Sequence, residues 1–403
     1  TVDWSARPEA SAPRLATPTY PFARDRYWLS APTTGAAGPE RAPARSTAPP
    51  GAPTPVVTPP RPLTGPPAPG SATAASPTPA ARSEQTTAAG SGPAGAAGHA
   101  VDSYLRGSTY DGRRVATALR SLGTTAARML DADLRGRLGG DPLAPGALAS
   151  SAADPSYDRL TGVIEGVLRR GRAADPSPYA PGELDTLLAR YPELSAHVRL
   201  VGECLPALPD VLGGRVDALE LYFSGDNPNV LADIYRGNAI ADHYNELVAR
   251  AVHGFAAARL AAHPGRPVRI VEVGAGTGGT SDRVLRLLAT LGPDARHVDY
   301  RYTDVSASFF RAAEREFGGH GVPLRFDVLD LEKEPAAQGF EPGSADLVLA
   351  ANVVHATRRI SRSLGRLRTL LAEDGLLVLN EVTCNLDYLA LMFGMIPGWW
   401  AFE

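Results

Sequence analysis

From residue 267 onward, short β-rich runs alternate with helical ones, and this alternation restricts the fold more than any other feature of the chain. VRIVEV (268–273), VDYRYTDV (298–305), VPLRFDVL (322–329), ADLVLAA (345–351) and GLLVLNEV (375–382) read as five strands. SDRVLRLLATLG, SASFFRAAEREFG and ISRSLGRLRTLLAED read as crossover helices. Apolar strands alternating with helices indicate an α/β fold built on a parallel, doubly wound sheet. Ligands of such sheets bind beyond the carboxyl ends of the strands, near the switch in strand order.

Upstream, residues 100–258 look mainly helical. YDRLTGVIEGVLRRGR, ELDTLLARYPEL and AIADHYNELVARAVHGFAAARLAAH carry apolar residues three and four apart, broken by DPSPYAPGE, LPALPD and GDNPN. The region is expected to be either a plain helical domain or a lid over the sheet. Residues 32–99 are Ala, Pro, Gly, Thr and Ser with scattered arginines, too poor in large apolar groups to offset the entropy of ordering. They are expected to form a disordered, semi-stiff linker. Within residues 1–31, PRLATPTYPFARDRYWLSA gathers Tyr20, Phe22, Tyr27 and Trp28, and reads as the last strap of a preceding domain. The chain opens on Thr1 and is expected to be a piece of something longer.

A formal net charge of −3 and the lack of any basic block give no sign of a nucleic-acid or membrane surface. No apolar run approaches the ~18 residues of a membrane span. Two distant cysteines, Cys204 and Cys384, exclude a disulfide framework and a clustered zinc site, and fit a reducing cytoplasm.

The strand ends carry the candidate chemistry. In VEVGAGTGGT (271–280), Gly274, Gly276 and Gly278 let the backbone turn tightly and approach a ligand. The order E-x-G-x-G-T-G, with Glu272 inside the strand and Thr277 in the turn, departs from the dinucleotide pattern. An anionic side chain there would repel a pyrophosphate and suit a cationic ligand. Asp304, ending strand two, could accept hydrogen bonds from ribose hydroxyls or could cap the next helix. After strand three, Asp330 could meet an adenine amino group, with Asp327 as a rival. Strand four ends at Asn352 and leads to His355; strand five ends at Asn380 and Glu381. A lone histidine after a strand is commonly a hydrogen-bonded structural residue. Beside a carboxylate on a neighbouring strand end, however, an imidazole has its tautomer fixed and its basicity raised.

Two resemblances add to this reading. PTYPFARDRYWL resembles the segment that ends the ketosynthase–acyltransferase linker region of modular type I polyketide synthases. VEVGAGTGGT resembles the first motif of class I S-adenosylmethionine-dependent methyltransferases. Together with YTDVS, ANVVHAT, LNEVT, FGMIPGWWAFE and the upstream LPDVLGGRVDALELYFSGDNPNVLADIYRGNAIADHYNE, it looks like the C-methyltransferase domain of polyketide synthases over about residues 195–403. The resemblance implies a Rossmann-like methyltransferase core over 259–403, preceded by a helical lid over 100–258. It implies S-adenosylmethionine held by Glu272, Gly274, Gly276, Thr277, Gly278, Asp304, Asp330, Leu331 and Asn352. His355 would act as base with Glu381 as its partner, Tyr235 and Asn245 would border the substrate pocket, and no metal is called for.

The implied reaction is C-methylation of the α-carbon of a β-ketoacyl chain on the phosphopantetheine of an acyl carrier protein, beside other polyketide synthase domains. O-methylation of a β-hydroxyacyl intermediate is the alternative, and a non-catalytic docking remnant is another. A class I sheet normally has two strands after the fifth. The chain ends about twenty residues past that point, so the core is expected to be C-terminally incomplete with an open edge.

Overall fold

Five strands lie parallel in the order β3-β2-β1-β4-β5: β1 Val268–Val273, β2 Val298–Asp304, β3 Leu324–Val328, β4 Ala345–Ala351 and β5 Leu371–Asn380. They come from a computed structural model that describes residues 92–223 and 230–402. The strap expected over 1–31, and the linker as far as residue 91, lie outside the described residues. The order reverses at β1 and β4, so the crevice beyond their carboxyl ends is where a ligand belongs.

Side chains alternate across the sheet. Val268 and Ile270 of β1, with Leu347 and Leu349 of β4, pack against helices Ala239–Ala262 and Gly279–Ala289. Val271 and Val273, with Val348 and Ala350, pack on the other face against helix Ile360–Leu370. Burial on both faces is why these strands read as continuous apolar runs. Among the described residues β5 pairs only with β4, and Leu379 and Val382 beside that edge are exposed. Among the described residues, no helix is long and apolar enough to cross a membrane.

A second core lies among helices Gly112–Leu138, Asp158–Ala174 and Ser195–Cys204. Three boundaries differ from the sequence reading. Helix Pro93–Gly107 begins inside the expected linker. It packs against Ala239–Ala262 so closely that a Cβ on Gly254 would lie 2.8 Å from the Ala96 carbonyl. The alanines and glycines that made this stretch look like spacer are what permit that approach. Helix Ala239–Ala262 runs through the expected boundary at 258: Ile240 near its start packs on the helical core, and Val248, Val252, Phe255 and Leu260 pack on the sheet.

The C-terminal segment also changes place. Tyr388, Leu391, Met392, Phe393 and Trp399 belong to the helical core, not to the sheet. Tyr222 donates from its hydroxyl to the Met392 carbonyl, Arg159 to the Trp400 carbonyl at 2.8 Å, and Arg170 pairs with Asp387 at 2.7 Å. The strand carrying Glu381 is therefore tied by a short loop to the helical layer.

β5 starts earlier than expected, at Leu371. Ala345 faces Leu371 but Leu347 faces Leu376, so residues 372–375 bulge from the ladder. The bulge presents Asp374 to Arg259, whose guanidinium also meets Asp346 at 2.9 Å. Arg259 and Asp346 are 4% and 1% exposed, and a buried pair of this kind is costly to break. Arg259→Ala is expected to cost about 3 kcal/mol, read as a lower denaturant midpoint. An unchanged midpoint would mean that Arg266 and Arg269, which also face Asp346, suffice.

Candidate active site

The turn after β1 is built from left-handed backbone. Gly274, Gly276 and Gly278 have φ of 63°, 58° and 78°, which a side chain would strain. A Cβ on Gly278 would also lie 2.5 Å from the Phe317 ring, and one on Gly274 2.4 Å from Val353 Cγ2. Neighbouring strands fix the turn. Ala275 N–H donates to the Thr303 carbonyl at 2.9 Å, Gly276 N–H to Asp304 Oδ2 at 3.0 Å, and Tyr302 hydroxyl to the Gly276 carbonyl at 2.8 Å. Thr277 stands exposed at the tip.

Asp304 is buried at the end of β2, and its other oxygen accepts from Ser306 N–H at 2.9 Å. Both its oxygens thus serve the backbone, while the next helical turn, Ala307–Phe309, is capped by the Ser306 hydroxyl and not by Asp304. Burial pushes its carboxyl up to about 6. Glu272 is 1% exposed under the turn, and its Oε2 accepts from Ser281 hydroxyl at 2.6 Å and Tyr300 hydroxyl at 2.8 Å. Burial pushes it up to about 7.

After β3, the two aspartates part. Asp327 pairs with Arg301 at 2.6 Å, on the sheet. Asp330, in the loop beyond the strand end, accepts from Glu332 N–H at 2.8 Å and faces Lys333 at 3.3 Å. Buried Leu331 follows, its carbonyl accepting from Arg366 at 2.6 Å.

His355 lies in a single 3₁₀ turn, Val354–Ala356, beyond β4, and Glu381 directly follows β5. Imidazole Nδ1 donates to Glu381 Oε2, since an ionised carboxylate can only accept. Glu381 Oε1 accepts two backbone amides, from Val353 at 3.1 Å and Val354 at 2.8 Å. One carboxylate is thus clamped at both oxygens, and the imidazole keeps Nε2 for other work.

Tyr235 and Asn245 are brought together, though not as two open pocket walls. Asn245 is buried, and its amide donates to the Tyr235 carbonyl at 2.9 Å and accepts from Thr280 hydroxyl at 2.8 Å. The Tyr235 carbonyl also lies where a Cβ on Gly279 would come within 2.8 Å. Asn245 therefore staples the strap that carries Tyr235 to the start of the helix after the glycine turn, and its amide is spent within the protein. A cavity of about 650 Å³ opens elsewhere, lined by Tyr104, Tyr110, His243 and Arg283 among others, and none of the expected site residues lines it.

The family described as "Methyltransferase domain" matches residues 271–377, which run from the end of β1 into β5. Polyketide synthase ThaQ of Burkholderia thailandensis is 41% identical over 211 residues, 52% of this chain and 10% of ThaQ. The chain thus spans about a tenth of that relative's length. The crystal structure of DszA carbon methyltransferase is 31% identical at a TM-score of 0.65, over 76% of this chain and 80% of that one. This chain belongs to the carbon-methyltransferase domains of polyketide synthases. The trans-methyltransferase CalH in complex with SAH, 24% identical at a TM-score of 0.53 over 72% of this chain and 78% of CalH, shows the same fold.

Parts of this carbon methyltransferase's site had no side-chain signature to find. The amides of Val353 and Val354 are invisible to a reading by residue type. Ser281 and Tyr300, which hold Glu272, sit at ordinary helix and strand positions. Asn352 did offer a signal, an asparagine at a strand end, where left-handed backbone is tolerated.

The buried carboxyls make stability depend on pH. In the unfolded chain they titrate near 4, so the folded domain holds the proton more tightly and takes up protons between about pH 4 and 7. Their contribution to stability therefore falls as pH rises through that window. Buried His197, pushed down to about 4, works in the opposite sense below about pH 6.5, so the useful readout is a difference. Glu272→Gln is expected to gain melting temperature relative to wild type at pH 8, with the gap closing at pH 5. A gap that does not change with pH would place the Glu272 proton elsewhere.

Proposed function

We propose that this domain methylates the α-carbon of a β-ketoacyl chain held on an acyl carrier protein, using S-adenosylmethionine. The observation that carries the reading is the clamped carboxylate, Glu381, holding His355 with Nε2 available beyond the ends of β4 and β5. The glycine turn fits the cofactor: its backbone is left-handed at all three glycines, a Cβ on Gly274 or Gly278 would collide with neighbouring side chains, and beside it lie two carboxyls whose titration is pushed towards neutrality. A cationic ligand favours their charged forms. Gly274, Gly276, Thr277 and Gly278 would hold its backbone-facing side, with Glu272, Asp304, Asp330 and Leu331 around it. Asp304 has lone pairs left for ribose hydroxyls after its two backbone bonds. When bound, S-adenosylmethionine supplies the electrophilic methyl group.

Two carbonyls flank the α-carbon of a β-ketoacyl thioester and acidify its C–H bond. His355 Nε2 takes that proton, and the electron pair of the C–H bond stays on the substrate as an enolate. The carboxylate of Glu381 stabilises the imidazolium that forms. Tyr235, on its stapled strap, contributes to the substrate side. An acyl carrier protein and the other domains of the synthase are the partners this reading requires.

Intact-protein mass analysis of β-ketoacyl and β-hydroxyacyl carriers tests the reaction. A gain of one methyl on the β-keto carrier alone is expected. A gain on the β-hydroxy carrier would move the reaction to oxygen, and no cofactor binding by calorimetry would leave a non-catalytic domain.

A further inference from the structure

Among the described residues Asn352 is the one non-glycine residue with positive φ, at 55°. It follows the last residue of β4 and precedes the turn that carries His355. Its N–H donates to the Asn380 carbonyl at 2.7 Å, the last strand-to-strand bond before Glu381. In an extended strand, successive N–H groups point to opposite sides. A β4 that simply continued could not aim Val353 and Val354 at one oxygen. The left-handed residue, followed by Val353 at φ −122° and ψ −47°, turns both N–H groups onto Glu381 Oε1. The Val353 side chain meanwhile fills the notch left by the absent Cβ of Gly274. Among the described residues the Asn352 carboxamide has no hydrogen-bond partner.

We infer that Asn352 is a positioning residue of the methyl-transfer centre, acting through its left-handed backbone rather than its carboxamide. It aims the two amides that fix Glu381, and Val353 locks that arrangement to the glycine turn. The inference rests on the reading of His355 as the base and adds what holds that base in place. Asparagine suits the task because it tolerates left-handed backbone better than other side chains, whereas β-branched residues are excluded from it.

The test uses the full 403-residue chain and compares Asn352→Gly, Asn352→Asp, Asn352→Val and His355→Ala with wild type. Single-turnover methylation of a β-ketoacyl carrier, substrate KM, S-adenosylhomocysteine binding by calorimetry and a thermal melt are read for each. Asn352→Gly, free to adopt the turn, is expected to stay within about threefold of wild type, and Asn352→Asp within about tenfold. Asn352→Val is expected to lose about 100-fold in turnover with KM and cofactor affinity held within about threefold. Should Asn352→Val fail to melt cooperatively, Asn352→Ala, expected to lose about tenfold, carries the same comparison.

Loss of turnover in Asn352→Gly comparable to Asn352→Val overturns the inference, as does normal turnover in Asn352→Val. A Gly variant that loses cofactor affinity assigns the residue to ligand binding instead. Near-normal turnover in His355→Ala overturns the base assignment, and the inference with it. Full loss there together with full loss in Asn352→Gly overturns the inference alone.

Discussion

His355→Ala is expected to abolish detectable methyl transfer while S-adenosylhomocysteine binding survives. A positioned general base contributes roughly 10²–10⁴-fold, and among the described residues the carboxylate paired with the imidazole, Glu381, is committed to two backbone amides and does not stand in for it. Cofactor affinity should persist because the glycine turn is held by Thr303, Asp304 and Tyr302, none of which touches His355. The Val353–Gly274 contact involves no His355 atom and is left in place. The fold should tolerate the change, since the side chain is partly solvent-accessible and Glu381 keeps its amide bonds. Single-turnover mass analysis and calorimetry on the same preparation separate chemistry from binding. Turnover close to wild type would remove His355 from the mechanism.

The sheet was readable because burial on both faces makes its strands apolar throughout, and periodicity reports burial. β1 and β4 begin and end where the sequence put them. The same signal failed where packing depends on what is missing from a side chain. In Pro93–Gly107 small residues allow close helix contact at Gly254, and by composition they are indistinguishable from spacer. At 387–400 the apolar residues were visible, but nothing local tells a helix whether its partner is the sheet before it or the helices 200 residues earlier.

Within the site, the side chains to which chemistry is assigned by proposal were picked one by one from their strand ends, and the strand order brings His355 and Glu381 together. What the sequence could not carry was the backbone: two amides on one oxygen, and the left-handed residue that turns them there. Asn245 shows the opposite difficulty. A buried amide with three protein partners looks, in sequence, the same as one that faces a pocket.

Glu381→Gln should cost nearly as much turnover as removing the imidazole, yet leave the fold intact. The two amides of Val353 and Val354 require an acceptor, so the carboxamide oxygen must take the place of Oε1. The NH2 group then faces His355 Nδ1 and donates to it, where the carboxylate had accepted. Nδ1 must now accept, the ring proton moves to Nε2, and the atom needed as base is blocked. A wrong tautomer in an otherwise intact constellation costs roughly 10³–10⁴-fold. Because shape and backbone bonds are kept, the melting temperature should stay near wild type. Glu381→Ala removes the acceptor as well and leaves two N–H groups unpaired at a half-buried site, at about 1–2 kcal/mol in addition to the loss of turnover. The pair of variants therefore separates two tasks of one side chain, holding the turn and setting the proton. If Glu381→Gln turns over normally, its carboxylate serves the backbone alone, and His355 must keep its reactive tautomer by other means.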